Sequence, residues 1–567
     1  MTRKIVLTLA AAILLAACGS DDAEQTGQTT APAGTADGDV SASALFERID
    51  ADTIYLAANL ETMPNEIVDL FWEPLESMSE FNRATYNQMA DSVADESALA
   101  AALMREFGAI DSREAWEQRG LHANGLWAIH AASIYPVMHW QLFDAAAFEA
   151  TLERLAEEAE TELPRRAIDD EEAIWIDLGN FGIALHHDSE FVTVALVPDN
   201  MALLRRVVNL DQPAQAYDPA GLRSFNSDNG FTAYGSGFVD FQGLAAYMLD
   251  ADDELTEPAR LASGLGAIEE EPACQQELTA LTRQLPGLSM GMTEMDDRVI
   301  SGMLRLDTNP ELGQSLAGIA DSPVGLDTGE TGFVAAGLAL NLIAARDFGR
   351  NLVAGWVDTP PECSLFSNVA ENASDWQLAL NRPIPPVVTN IHGFRLNLDN
   401  LTMGPEGGVS DVAGTLAVFM RNPQMLVGMA QMFSPELAEL DLTVGGEPQP
   451  LPAGTIPNVP DLSLFIGMAE SGIGLAAGES HSARLGDALA PSAESDSRIF
   501  GYTINMAAYA RFMDNMIEEM ANELENEDDM PPPDFMGMLA ESYEETSVSV
   551  ALTERGVELI SSSTLKQ

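Results

Sequence analysis

One pattern of apolar and polar positions recurs along this chain: an apolar strand, a polar turn residue, then an amphipathic helix. It occurs at 53–72 (TIYLAANLETMPNEIVDLFW), 231–249 (FTAYGSGFVDFQGLAAYML), 332–352 (GFVAAGLALNLIAARDFGRNL) and 498–517 (RIFGYTINMAAYARFMDNMI). In three copies an Asn or Asp stands at the junction: Asp240, Asn341 and Asn505. Such side chains accept hydrogen bonds from the first free amides of a helix, so they predict N-caps. An aromatic follows seven residues after each, Tyr247, Phe348 and Phe512, two helical turns on and therefore on the same face as the cap. In the first copy Glu61 takes the junction and Val68 the later place, a looser match.

Later in each copy the pattern alternates with period two, which marks strands with one buried face. Residues 289–306 predict a hairpin turning at Asp296-Asp297, and 547–560 another turning at Glu554-Arg555-Gly556. Longer versions fall at 125–142 and 387–419, with further strands at 173–177, 182–197 (hinged at 188–190) and 461–475. Residues 145–160 put Phe148, Leu152 and Leu155 on one face and acid on the other, a surface helix. Shorter helices are expected at 199–208 and 423–433. Taken in order, these elements predict an α+β fold of two related halves, 44–320 and 331–567. Each half is a mostly antiparallel sheet with helices packed on one face. An acidic insertion near 518–545 carries three consecutive prolines, which no continuous helix accepts.

The first residues change the picture. MTRKIVLTLAAAILLAACGS has a basic start, a short apolar core and small residues at its end, the parts of a secretory signal. The core is too short for a membrane span, which needs roughly 20 apolar residues. Leu15-Ala16-Ala17-Cys18 resembles the lipobox of bacterial lipoproteins. That resemblance implies a signal peptide over 1–17, cleavage before Cys18, a diacylglyceryl group on its sulfur and often a third acyl chain, palmitate-like, on the new amino terminus. Two or more chains anchor a protein firmly. Gly19, not Asp, follows the cysteine, which by the enterobacterial sorting rule implies the outer membrane, facing the periplasm. Residues 18–43 have almost no large apolar side chain, so they read as a flexible tether. Residues 45–60 (LFERIDADTIYLAANL) are similar to the start of a loosely defined group of extracytoplasmic bacterial proteins of unassigned function, and that likeness brings no site residues.

Charge then narrows the partners. The chain has 567 residues, with 89 acidic against 27 basic, a net of −62. Such a surface repels nucleic acid and anionic headgroups, so no nucleic-acid role is expected. The acid is spread along the chain, which favours a salt-adapted surface over a focused cation site. Of three cysteines, Cys18 is taken by lipid. Cys274 and Cys363 remain as an even pair in an oxidising compartment, and a disulfide between them is expected.

Candidate chemistry is thin, and no catalytic, cofactor or metal residue is expected. Gly478-Glu479-Ser480-His481-Ser482 comes near the G-x-S-x-G of a serine hydrolase but ends in Ser. Tyr234-Gly235-Ser236-Gly237 lacks the first Gly, and Gly472, Gly474 and Gly478 miss the dinucleotide spacing by one residue. The seven histidines form no spaced ligand set, and His186 and His187 point to opposite faces of a strand. Asp169-Asp170-Glu171-Glu172 lacks the alternating ligands of a calcium loop and reads as a solvated turn. The methionine stripes Met425/Met429/Met432 and Met513/Met516/Met520 read as core filling, with an adaptable apolar groove as the alternative. The expected function is a membrane-anchored extracytoplasmic binding or scaffold lipoprotein, with an envelope protein as possible partner. The alternatives are a carrier of an apolar ligand such as lipid or peptide, and an envelope hydrolase without a recognisable motif.

Overall fold

The structure, a computed structural model, describes residues 41–566 apart from short internal stretches, the longest being 264–270, 453–461 and 522–536. Cys18, the signal, nearly all of the tether and most of the 518–545 insertion therefore lie outside the described residues. The fold is α+β, and its paired strands are antiparallel. Among the described residues no helix is long and apolar enough to cross a membrane.

The chain divides into two compact units, one up to residue 304 and one from 305 on. The first holds β1 (Tyr55–Ala58), β2 (Trp127–Ala132), β3 (Tyr135–Gln141), β4 (Arg165–Ile168), β5 (Glu171–Asp177), β6 (Gly182–His187), β7 (Phe191–Val197), β8 (Ser236–Asp240) and β9 (Gly287–Met295). The division falls inside β10 (Val299–Asp307), which pairs with β9. The second unit holds β11 (Val334–Ala339), β12 (Ile391–Met403), β13 (Val409–Met420), β14 (Gln449–Pro450), β15 (Leu464–Ala469), β16 (Gly472–Ala477), β17 (Arg498–Asn505), β18 (Tyr543–Thr553) and β19 (Gly556–Leu565). The division cuts β10 between Leu304 and Arg305.

In the first unit the ladders run β4-β5-β6-β7-β3-β2-β1-β8-β9-β10. In the second they run β14-β15-β16-β13-β12-β11-β17-β18-β19. Strand for strand the second order matches the first, except that β4 has no counterpart. Each of the four recurring patterns supplies one inner strand (β1, β8, β11, β17), a helix, and a hairpin whose first strand pairs with that inner strand. The inner strands approach closely: a Cβ on Gly237 would sit 1.9 Å from the Leu56 carbonyl oxygen, so only glycine fits β8 against β1 there.

The helices begin where polar junction residues end the strands. Asp240 accepts from the Gln242 amide at 2.9 Å, Asn341 from Ala344 at 3.1 Å and Asn505 from Ala508 at 3.0 Å. Glu61 caps nothing comparable, since the helix after β1 starts only at Asn65–Ser77. The expected hairpins, the β5–β7 strands and the helices Ala145–Glu158, Met201–Val207 and Pro423–Phe433 are all present. Elements the pattern does not single out include helices Ser79–Val93, Ala98–Gly108, Pro272–Gln284 and Ser367–Asn381.

The core of the first unit is built from strands and helices together. Leu45, Phe46, Leu56, Leu126, Phe191 and Leu222 form one fully enclosed cluster. Burying each such side chain is worth on the order of 1.5–3 kcal/mol. Arg48 caps this cluster, its guanidinium 4.5 Å from the Phe191 ring centre and 2.7 Å from Asp188. In the second unit Val324, Leu326, Ala339, Ala417, Phe419 and Leu489 pack together.

Candidate functional site

In the second unit two backbone irregularities bring three side chains together. Strand β12 pairs Leu398 with Gly414 and Asn400 with Ala413, so Asp399 is the extra residue of a β-bulge. A bulge bends the strand and re-aims its unpaired residue. Strand β16 ends at Ala477, and the next residue, Gly478, has a φ of +95°, open to glycine and strained for other residues. The chain then turns into the short helix Glu479–Ser482. As a result His481 Nε2 lies 2.6 Å from Asp399 Oδ2, and Ser480 Oγ lies 3.1 Å from His481 Nδ1. Arg484 Nη1 reaches the same Asp399 oxygen at 2.7 Å.

The proton positions follow from what each group can do. An ionised carboxylate only accepts, so Nε2 of His481 carries the hydrogen that faces Asp399. In the neutral ring Nδ1 is then the bare nitrogen, and the Ser480 hydroxyl donates to it. The arrangement is a hydroxyl–imidazole–carboxylate relay. His481 is buried, Ser480 is exposed, and Asp399 lies between these extremes.

A second polar group lies inside the first unit. His130 on β2 and His139 on β3 are fully enclosed, with their Nε2 atoms 3.2 Å apart and their rings stacked. His130 Nδ1 lies 3.2 Å from the Ala131 carbonyl oxygen, which only accepts, so that nitrogen is protonated and His130 Nε2 is bare. His139 Nε2 then donates across the gap, and its Nδ1 accepts from Thr193 Oγ1 at 2.9 Å. Burial pushes His130 down to about 4, and burial with the charges of His130 and Arg48 holds His139 well below the usual imidazole range. Both rings stay neutral near pH 7.

The same unit carries an open cleft of about 290 Å³ bordered by Glu149, Arg165, Asp170, Glu172, His186 and His187. Glu149 lies 2.8 Å from both His187 Nε2 and Arg165, and the His187 hydrogen bond, followed by Arg165, lowers its carboxyl. His186 and His187, expected on opposite faces, both border this cleft. His186 turns its Nδ1 to the Glu172 carbonyl oxygen at 3.0 Å. Asp169 is engaged by Arg205, and Asp170 lies in the turn before β5.

Cys274 and Cys363 are joined in a disulfide and buried. Glu271 lies 3.2 Å from the Cys274 sulfur, but a disulfide sulfur is not the thiolate that a metal needs. Cys18 lies outside the described residues. The Met425/Met429/Met432 stripe, expected as core filling, leaves Met425 42% and Met432 82% exposed, because helix Pro423–Phe433 turns that side to solvent. Met513 and Met516 are half-buried, and the side chain of Met520 lies outside the described ones.

The second unit also exposes several large apolar side chains on and beside two helices. Helices Leu342–Asp358 and Ser367–Asn381 pack on each other, with Trp356 and Trp376 edge to face at 6.0 Å. Arg346 and Arg350 donate from Nε to the Leu380 carbonyl at 3.0 and 3.1 Å, which fixes the end of the pair. The helices bury only Val353 and Ala373 fully. On them Ile343, Leu352, Trp376 and Leu378 are left exposed, Leu378 at 66%, and Leu365 is exposed in the turn Ser364–Phe366 between them. Asp347, Asp358, Glu371 and Asp375 are exposed among them.

No family model, curated protein or solved structure matches this chain.

Proposed function

We propose that this chain is a membrane-anchored extracytoplasmic binding or scaffold lipoprotein, held through Cys18 and docking a basic, amphipathic protein segment on the helix pair Leu342–Asp358 and Ser367–Asn381. The exposed apolar side chains of that pair carry the reading. Large apolar residues grouped on a surface mark interaction sites. The acids among them, on a chain of net charge −62, favour a basic partner over an anionic lipid surface. The lipobox-like Leu15-Ala16-Ala17-Cys18 supports the anchor and an outer-membrane address facing the periplasm. The matching strand orders of the two units support two related halves produced by duplication of one α+β unit. The carrier reading finds less support, since the cleft described above is polar.

Two measurements on the full lipoprotein in detergent test this. A fatty-acid label is expected on the wild type and lost in Cys18→Ser; label retained in that variant refutes the anchor. A synthetic basic helix of leucine and lysine is expected to bind saturably, read by tryptophan fluorescence, and at least about tenfold more weakly to Leu378→Asp, one desolvated contact being worth more than about 1.4 kcal/mol. Equal affinity for the variant, or equal binding of an acidic counterpart, refutes the docking surface.

A further inference from the structure

We propose that Ser480 and His481 are a nucleophile and general base for acyl transfer, cleaving small uncharged or cationic carboxylic esters, with Asp399 as the positioning residue. The inference is independent of the docking surface above. A serine hydroxyl becomes a useful nucleophile when a base takes its proton and a third group orients that base. Here the third group is set by the bulge in β12, and the base by the glycine turn after β16. The 2.6 Å contact from His481 Nε2 to Asp399 Oδ2 fixes one tautomer and leaves Nδ1 bare toward the hydroxyl. Burial of the imidazole protects that tautomer from water, and the exposed Ser480 remains accessible to a substrate.

The chemistry balances within the chain. Ser480 Oγ adds to the ester carbonyl carbon as its proton passes to His481 Nδ1. The imidazolium so formed is stabilised by Asp399 at Nε2. Collapse of the tetrahedral adduct breaks the bond to the alcohol oxygen, which takes the proton from Nδ1. Water then adds to the acyl-serine by the same route, releasing the carboxylic acid and restoring Ser480. The base nitrogen is Nδ1, the one nearer the backbone, because nucleophile and base are sequence neighbours. The substrate class follows from exposure and charge: an open site suits small esters, and a strongly acidic chain disfavours anionic ones.

The experiment uses the full chain, a fluorophosphonate probe mapped by mass spectrometry, and the hydrolysis of p-nitrophenyl acetate. The expected result is covalent label on Ser480 and a rate at least about 100-fold lower in Ser480→Ala, whose exposed side chain leaves the fold intact. Label absent from Ser480, or an unchanged rate in Ser480→Ala, overturns the proposal. Asp399→Asn is expected to lower kcat at least about tenfold with KM unchanged and far-ultraviolet circular dichroism preserved, since the ring loses its orienting acceptor. An unchanged kcat overturns the role of Asp399.

Discussion

His130 and His139 share one proton between two enclosed nitrogens, so neither can become cationic without placing a charge in the core. Burial lowers both below the unfolded imidazole value. Above about pH 6.5 neither the folded nor the unfolded chain protonates them, and they add no pH dependence. As pH falls from 6.5 toward about 4, the unfolded chain takes up protons that the folded chain refuses, and stability drops. The slope is up to about 1.4 kcal/mol per pH unit for each ring. Urea unfolding at pH 7 and pH 5 is expected to show this fall, and a His139→Gln variant a shallower one. Equal slopes in the two proteins would reject the account. The seven histidines look scattered in the sequence because this pair is made only by the register of β2 against β3. Asp399 was equally hidden, 82 residues from His481 in the chain and aimed by a bulge that no periodicity reveals. Gly478 to Ser482 did leave a trace, a near-miss to a hydrolase motif at the end of a strand.

Helix starts were the most legible elements, because a cap is a local interaction that depends on one side chain and the next few amides. Asp240, Asn341 and Asn505 each accept the bond that their place in the pattern implies. Asn341→Ala removes the 3.1 Å acceptor of the Ala344 amide and is expected to cost about 1 kcal/mol of unfolding free energy. Glu61→Ala, four residues before the helix Asn65–Ser77 begins, is expected to cost a few tenths of a kcal/mol at most. Chemical denaturation of the two variants side by side decides whether capping or mere polarity at the junction matters. The helices Ser79–Val93 and Ala98–Gly108 were less legible for a physical reason. They meet through Ala90, Val93, Ala101 and Met104, an interface built largely of alanine, which gives little contrast between buried and exposed faces. The exposed methionines of Pro423–Phe433 failed in the opposite sense: a strong apolar stripe does not say whether anything covers it.

At the scale of the whole chain the α+β class followed from local patterns, but strand order did not. Placing β7 beside β3, or β16 beside β13, requires pairings across intervening helices and hairpins that alternation alone cannot rank. The Cys274–Cys363 bond was legible because it needed only a parity argument and a compartment. Its energetic role is in the unfolded chain. It closes a loop of roughly ninety residues, and the chain-entropy relation assigns such a loop about 4–5 kcal/mol of stabilisation at 25 °C. A Cys274→Ser/Cys363→Ser variant is therefore expected to unfold at a clearly lower denaturant concentration while its circular dichroism before the transition stays that of the parent. The parent should weigh two hydrogens less than its reduced form. The variant also exposes a steeper denaturant dependence, since an uncrosslinked chain opens further and presents more surface. Loss of stability with that steeper slope places the effect in the unfolded state. The same loss with an unchanged slope places it in the folded core, where both sulfurs are buried, and rejects the entropic account.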